Sequence, residues 1–129
     1  MSAAPELYDI HERSYEPVTR ELDGPLTVVE GAVPPGLRGV LFRNGPGRLQ
    51  LHGQRYGHLF DGDGHINRFA FTDDGVLYRN RYVRTREFLA EEAARRILYR
   101  NFGTNIPGGL HKNLFRTRFK NVANTSVIH

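Results

Sequence analysis

The chain has 129 residues, 39% of them hydrophobic and 25% charged, the balance of a folded domain and not of a disordered tract. It contains no cysteine, which excludes both a disulfide framework and a thiolate metal site. The formal charge of +4 is carried mostly by arginines scattered along the chain, and a solvated surface accounts for it.

The start, Met1-Ser-Ala-Ala-Pro-Glu6, has neither the basic residues nor the apolar run of a secretory leader. No apolar stretch approaches the roughly 20 residues that cross a bilayer. A cytoplasmic protein is the expectation. Residues 1–24 are polar, without periodicity, and read as an extended N-terminal arm; residues 25–129 read as the folded part. The 14 glycines and 7 prolines sit largely in clusters, which implies many turns between short segments and favours β-structure.

Pro25 to Glu30 is a short β-prone run. Gly31 to Gly39 is punctuation, since paired prolines cannot join a central ladder. Val40 to Arg43 predicts a strand closed by Asn44-Gly45-Pro46-Gly47. His65 to Phe71 alternates, with His65, Asn67, Phe69 and Phe71 on one face and Ile66, Arg68 and Ala70 on the other. Thr72-Asp73-Asp74-Gly75 is a hairpin turn, and Val76 to Val83 resumes as a strand. Thr85 is placed to cap a helix over 86–98. Leu89, Ala93 and Ile97 give it one apolar stripe, with Glu91–Arg95 and Glu92–Arg96 as i, i+4 pairs. A glycine-rich break follows at 101–109, then a basic and aromatic segment, Leu110 to Lys120. Val122 to Ile128 predicts a further strand, and the sequence stops inside it. A piece of a longer polypeptide is therefore expected.

The densest polar cluster is His58-Leu-Phe-Asp61-Gly-Asp63-Gly-His65. A metal site from His58, Asp61, Asp63 and His65 lacks the later glycine and the bidentate Glu of a calcium loop. The plainer reading is a tight turn, with the aspartates bonding their own backbone and Gly62 and Gly64 in left-handed conformations. Residues 103–109 carry no phosphate-loop pattern, and no serine occupies a nucleophile elbow. Leu110 to Lys120 has three readings: a single-stranded nucleic-acid contact, a membrane-surface contact, or a connector with its Phe residues packed inward.

Val33-Pro-Pro-Gly-Leu-Arg-Gly39, Phe42-Arg-Asn-Gly-Pro46, His58-Leu-Phe-Asp-Gly-Asp-Gly64, Asn80-Arg-Tyr-Val-Arg-Thr85, Phe102-Gly-Thr104 and Asn121-Val-Ala-Asn-Thr-Ser-Val-Ile128 occur in the order seen in the carotenoid oxygenases. Over residues 25–129 the chain resembles the N-terminal part of that family, which includes carotenoid, apocarotenoid and stilbene dioxygenases and related retinoid isomerases. Leu59 departs from the pattern, because an aromatic is common there. The resemblance implies a mainly β fold, a fragment of a seven-bladed β-propeller with one helix and cap loops. It also implies a non-haem Fe(II) held by four histidines in the full-length protein, with O₂ and an apolar carotenoid-like substrate as partners. The first of those ligands lies beyond Asn121–Ile128. His11, His52, His58, His65, His111 and His129 therefore match none of them. No catalytic or metal residue is assigned, and no iron is expected on this chain.

Phe102 resembles a position that shapes the substrate cleft. Leu110, Leu114, Phe115 and Phe119 resemble the cap near the tunnel mouth and are assigned to a membrane-facing role. Lys112, Arg116, Arg118 and Lys120 are the basic groups that would meet anionic head groups. The resemblance leaves no role for nucleic acid. A standalone basic β-rich module binding membrane or nucleic acid is the alternative, and the reading frame beyond residue 129 separates the two.

Overall fold

A computed structural model describes residue 13 and residues 15–114 and 119–128. Its strands are β1 (Asp23–Leu26), β2 (Gly39–Arg48), β3 (Gln50–Leu51), β4 (Gln54–Arg55), β5 (Asp63–Thr72) and β6 (Gly75–Tyr82). Helices α1 (Arg86–Ala94) and α2 (Leu110–Leu114) follow, and a single 3₁₀ turn spans Leu59–Asp61. Strands β1, β6, β5 and β2, in that spatial order, form one antiparallel sheet; β3 and β4 form a small second ribbon. The fold is mainly β, as expected.

The hairpin of β5 and β6 closes with Thr72 opposite Gly75, whose φ of 125° only glycine adopts freely. His65, Asn67, Phe69 and Phe71 face Tyr82, Asn80, Tyr78 and Val76, so the alternation read from the sequence is the observed register. The Phe69 and Tyr78 rings meet at 5.0 Å, and Tyr78 donates to Asn67 Oδ1 at 2.6 Å.

Strand β1 is Asp23–Leu26, not Pro25–Glu30. Its position is set at and just before its first residue. Asn80 N–H donates to Leu22 O at 3.0 Å, the Asn80 side chain holds Leu22 N–H and Arg20 O, and Arg79 pairs with Asp23 at 2.6 Å. Strand β2 runs straight through Asn44-Gly45-Pro46-Gly47, which the sequence marks as a turn. Because β2 is the sheet edge, Pro46 interrupts no inner ladder. The register shifts between Pro46 and Arg48, leaving Gly47 as the extra residue of a bulge. A Cβ on Gly47 would lie 2.5 Å from His65 Cβ and 2.7 Å from Tyr82 Cε1.

Thr85 caps α1 as predicted, accepting from Phe88 N–H at 3.1 Å. The helix nevertheless ends at Ala94, and its buried residues are Glu87, Phe88 and Glu91. Leu89 is 51% exposed and Ala93 is exposed, so the predicted stripe faces water; Ile97 is buried, but beyond the helix. Glu91 Oε1 accepts from the N–H groups of Leu98 (2.9 Å) and Tyr99 (3.3 Å), which turns the chain back where a further helical turn was expected. The acids are also paired differently: Glu91 with Lys120 and Glu92 with Arg48, in place of Arg95 and Arg96. Leu51, Tyr56 and Ile97 form the small apolar core. The segment 122–128 joins no strand ladder; it meets β5 where Val122 O accepts from Gly64 N–H at 2.7 Å.

Candidate functional site

The site is built on the loop from His58 to His65, and its aspartates work at long range. Asp61, almost fully buried, accepts from Phe102 N–H and Gly103 N–H at 3.0 Å each and from Thr104 Oγ1 at 2.6 Å. One carboxylate thereby fixes the loop that carries Phe102. Gly62 and Gly64 are not in left-handed conformations. They are small because other chain lies against them. A Cβ on Gly62 would meet Pro46 Cβ at 2.5 Å, and a Cβ on Gly64 would meet Ala123 O at 2.1 Å. Gly64 N–H instead donates to Val122 O at 2.7 Å.

Asp63 anchors a buried ionic cage. Arg48 Nε donates to Asp63 Oδ2 at 2.5 Å, Tyr56 OH donates to the same oxygen at 2.8 Å, and Lys120 Nζ lies 2.6 Å from Asp63 Oδ1. Lys120 Nζ also donates to Glu91 Oε2 at 2.7 Å and Tyr56 OH at 3.0 Å, so its three N–H groups each have an acceptor. Burial, with Asp63 beside it, pushes the Tyr56 hydroxyl well above its ordinary range. Burial also presses on the Arg48 guanidinium, but Asp63 and Glu92 more than offset it and hold the group protonated. Lys120 is thus an internal residue, not the surface cation assigned from the sequence.

The described histidines do not gather. His58 Nδ1 accepts from Phe60 N–H at 3.1 Å and caps the 3₁₀ turn. His65 stacks edge-on against Tyr82 at 4.9 Å; burial lowers its pKa, and the same environment pushes the Tyr82 hydroxyl up to about 12. Among the described residues no group of three His, Asp or Glu side chains is arranged to hold a metal. His11 and His129 lie outside the described residues.

Phe102 is 82% exposed and stands between two clefts. The larger, of about 900 Å³, runs along Ile66, Val83, Phe119 and residues 120–123 and 125–127. The smaller, of about 610 Å³, is bounded by Leu59, Phe60, Pro46 and Val122. Phe102, Phe60 and His58 form an aromatic cluster, with Phe60 6.4 Å and His58 6.5 Å from the Phe102 ring. Leu110 (79%), Leu114 (63%) and Phe119 (60%) are exposed, and Phe119 does not pack inward. Phe115, Arg116 and Arg118 lie outside the described residues. No helix among the described residues is long and apolar enough to cross a membrane.

The profile of the retinal pigment epithelial membrane protein (RPE65) family matches residues 15–129. The chain belongs to this carotenoid oxygenase family. It is 40% identical over 119 residues to the apocarotenoid-15,15'-oxygenase of Synechocystis sp., covering 91% of this chain and 24% of that protein. To the mouse (Mus musculus) β,β-carotene 15,15'-dioxygenase it is 35% identical over 97 residues, 75% of this chain and 17% of that protein. Among solved structures, cobalt-substituted Synechocystis apocarotenoid oxygenase superposes with a TM-score of 0.85 at 40% identity, over 91% of this chain and 25% of that one. A chimera of that oxygenase with RPE65 gives 0.82 at 41% identity, over 88% and 24%. The chain thus spans about a quarter of the length of the Synechocystis relative.

Most of the carotenoid oxygenase motifs converge in space. Asn44 Nδ2 donates to Ala123 O (3.0 Å) and Ser126 O (3.2 Å). Asn124 Nδ2 donates to Phe60 O (3.0 Å) and Gly62 O (2.7 Å), and Thr85 Oγ1 donates to Asn121 O (3.2 Å). With Asp61 on the Phe102 loop, these bonds seat the motif at 121–128 against β2, β5 and the start of α1. The Val33–Gly39 motif stands apart, tied to the hairpin turn by an Arg38–Asp73 ion pair. Arg48, Tyr56, Glu91 and Lys120 escape sequence reasoning. The available signal was Glu87, Phe88 and Glu91 sharing a helix face with a single large apolar residue on it.

Proposed function

We propose that this chain works as the N-terminal part of a non-haem Fe(II) dioxygenase that oxidatively cleaves a conjugated C=C bond of a carotenoid, apocarotenoid or stilbene. Family membership supports the reading, and the observation that carries it is the exposed Phe102 between two largely apolar clefts on a loop clamped by Asp61. Iron, when bound, supplies the activation of O₂. The described histidines do not fit such a site, so no step is assigned to them, and the chain by itself is inactive. Its own work is to shape the apolar cleft and hold its walls, with Phe102 against the substrate. The walls of the two clefts beside Phe102 are largely apolar, which suits an apolar polyene.

Leu110, Leu114 and Phe119 make peripheral contact with a membrane from the cytoplasmic side. They are exposed apolar residues with Lys112 beside them, the composition of an interfacial segment. Two experiments test the proposal. Phe102→Ala in the full-length gene product should raise KM for an apocarotenoid more than it lowers kcat; an unchanged KM removes Phe102 from the cleft. Full-length protein should co-sediment with anionic liposomes, and Leu110→Ser with Phe119→Ser should abolish this; equal sedimentation ends the membrane assignment.

A further inference from the structure

The sequence sets an Asp or Asn directly before a glycine at Asp23-Gly24, Asn44-Gly45, Asp61-Gly62, Asp63-Gly64 and Asp74-Gly75. Such a pair is chemically labile, because a glycine without Cβ lets its backbone nitrogen reach the side-chain carbonyl carbon of the residue before it. Attack closes a five-membered succinimide, and the proton of that nitrogen leaves in ammonia from Asn or in water from Asp. Water then opens the ring. Opening at the α-carbonyl routes the main chain through the side-chain carbon and frees an α-carboxylate, which is an isoaspartyl residue. No cofactor or oxidant takes part. The ring does need a side chain free to turn and space around the glycine, and the fold distributes these unequally. Asp23 pairs with Arg79 at 2.6 Å, and Asn44 Nδ2 is committed to Ala123 O and Ser126 O. Asp61 is held by the Phe102 loop, and Asp63 by Arg48, Tyr56 and Lys120. Gly62 and Gly64 are also hemmed in, by Pro46 at 2.5 Å and Ala123 at 2.1 Å from where a Cβ would stand. Asp74 differs on both counts. It is exposed, and its side chain has no hydrogen-bond or ion-pair partner among the described residues; Arg38 takes Asp73 instead. A Cβ on Gly75 would meet nothing within 4 Å. The pair sits at the tip of the β5–β6 hairpin, where local opening is easiest.

We propose that Asp74-Gly75 is a site of spontaneous isoaspartate formation, and that the isoaspartyl form is a substrate for a carboxyl methyltransferase that uses S-adenosylmethionine. In that second step the methyl group passes from the sulfonium to the freed α-carboxylate and gives a methyl ester. The new linkage adds a main-chain atom inside a turn that Thr72 Oγ1 closes by donating to Gly75 O at 3.0 Å. Folding thereby inverts the order of reactivity. In a flexible chain Asn-Gly reacts faster than Asp-Gly, because an amide carbon is more electrophilic than a carboxylate carbon, so Asn44 leads. In the folded chain Asn44 is fixed within β2 and Asp74 leads.

The test is ageing of the 129-residue chain at neutral pH and body temperature, followed by labelling with an isoaspartyl methyltransferase and tritiated S-adenosylmethionine and by peptide mapping. The label should fall on the peptide that holds Asp74, and each of the other four pairs should carry less than about a tenth of it. A sample aged in guanidinium chloride and then dialysed should carry most label at Asn44. Asp74→Glu, which would have to close a six-membered ring, should lose the label with an unchanged circular dichroism spectrum. Asp74→Asn, at the same exposed position, should react faster than the parent and release ammonia. Absence of label at Asp74, label at Asn44 ahead of Asp74 in the folded chain, or label on that peptide surviving Asp74→Glu would overturn the proposal.

Discussion

Lys120 Nζ lies 2.6 Å from Asp63 Oδ1 and 2.7 Å from Glu91 Oε2, and all three side chains are almost wholly buried. The ammonium ties β5, α1 and the segment after residue 119 into one unit. A buried pair broken by loss of one partner typically costs about 3–5 kcal/mol, because a charge is left uncompensated. Lys120→Met should therefore lower the unfolding free energy by about that amount in urea titration. Glu91→Gln removes the opposing charge while keeping an acceptor for the N–H groups of Leu98 and Tyr99. The double variant should lose less than the sum of the singles by at least about 1 kcal/mol. Strict additivity would mean that the two charges do not share an energetic unit.

Gly64 separates close approach from backbone freedom as the reason for a glycine. A Cβ there would meet Ala123 O at 2.1 Å, whereas one on Gly45 would meet nothing within 4 Å. Gly64→Ala should destabilise by about 1–3 kcal/mol, in the manner of overpacking, and should raise hydrogen exchange across 121–128. Gly45→Ala should stay within about 0.5 kcal/mol of the parent. Equal effects of the two substitutions would remove the docking of 122–123 on Gly64 as the cause.

Thr85 joins two jobs in one hydroxyl, accepting from Phe88 N–H and donating to Asn121 O at 3.2 Å. Thr85→Ala should cost about 0.5–2 kcal/mol, and Thr85→Ser should recover most of it. Thermal unfolding of the three proteins checks this. A serine variant as unstable as the alanine variant would point to the threonine methyl group instead of the cap.

What the sequence made legible follows from the distance over which each force acts. The β5–β6 hairpin was readable because a period of two and an Asp-Asp-Gly turn are local. Thr85 was readable for the same reason. Asp61 and Asp63 were visible as a cluster, but their partners lie far along the chain, at Phe102, Thr104 and Lys120, and no local pattern reveals them. The helix stripe misled because apolar spacing outweighed charge. Leu89 turned to water and Glu91 turned inward, a choice set by Lys120. Pro46 looked like a terminator only because its strand's place at the sheet edge is a property of the whole sheet.

His65 gives the chain a defined response to acid. Its ring is buried against Tyr82, and burial lowers its pKa below the ordinary 6.5; Glu21 opposes the shift without reversing it. The folded state thus favours the neutral imidazole. A group whose folded pKa is depressed contributes its full stability above the unfolded pKa and loses it as pH falls through the folded value. The loss should begin near pH 6.5 and deepen below it, by at most about 1.4 kcal/mol per pH unit for one proton. Glu21 adds a second decline at lower pH. The Arg84 hydrogen bond holds its carboxyl below 4.5, so its contribution is present above 4.5 and fades as pH falls through the folded value. Urea unfolding at intervals from pH 7.5 to 3.5 resolves the two windows. His65→Gln should flatten the window just below pH 6.5 and leave the lower one, and Glu21→Gln should do the reverse. A His65→Gln protein that still loses stability between pH 6.5 and 5.5 at the parent's rate would show that another group carries the transition.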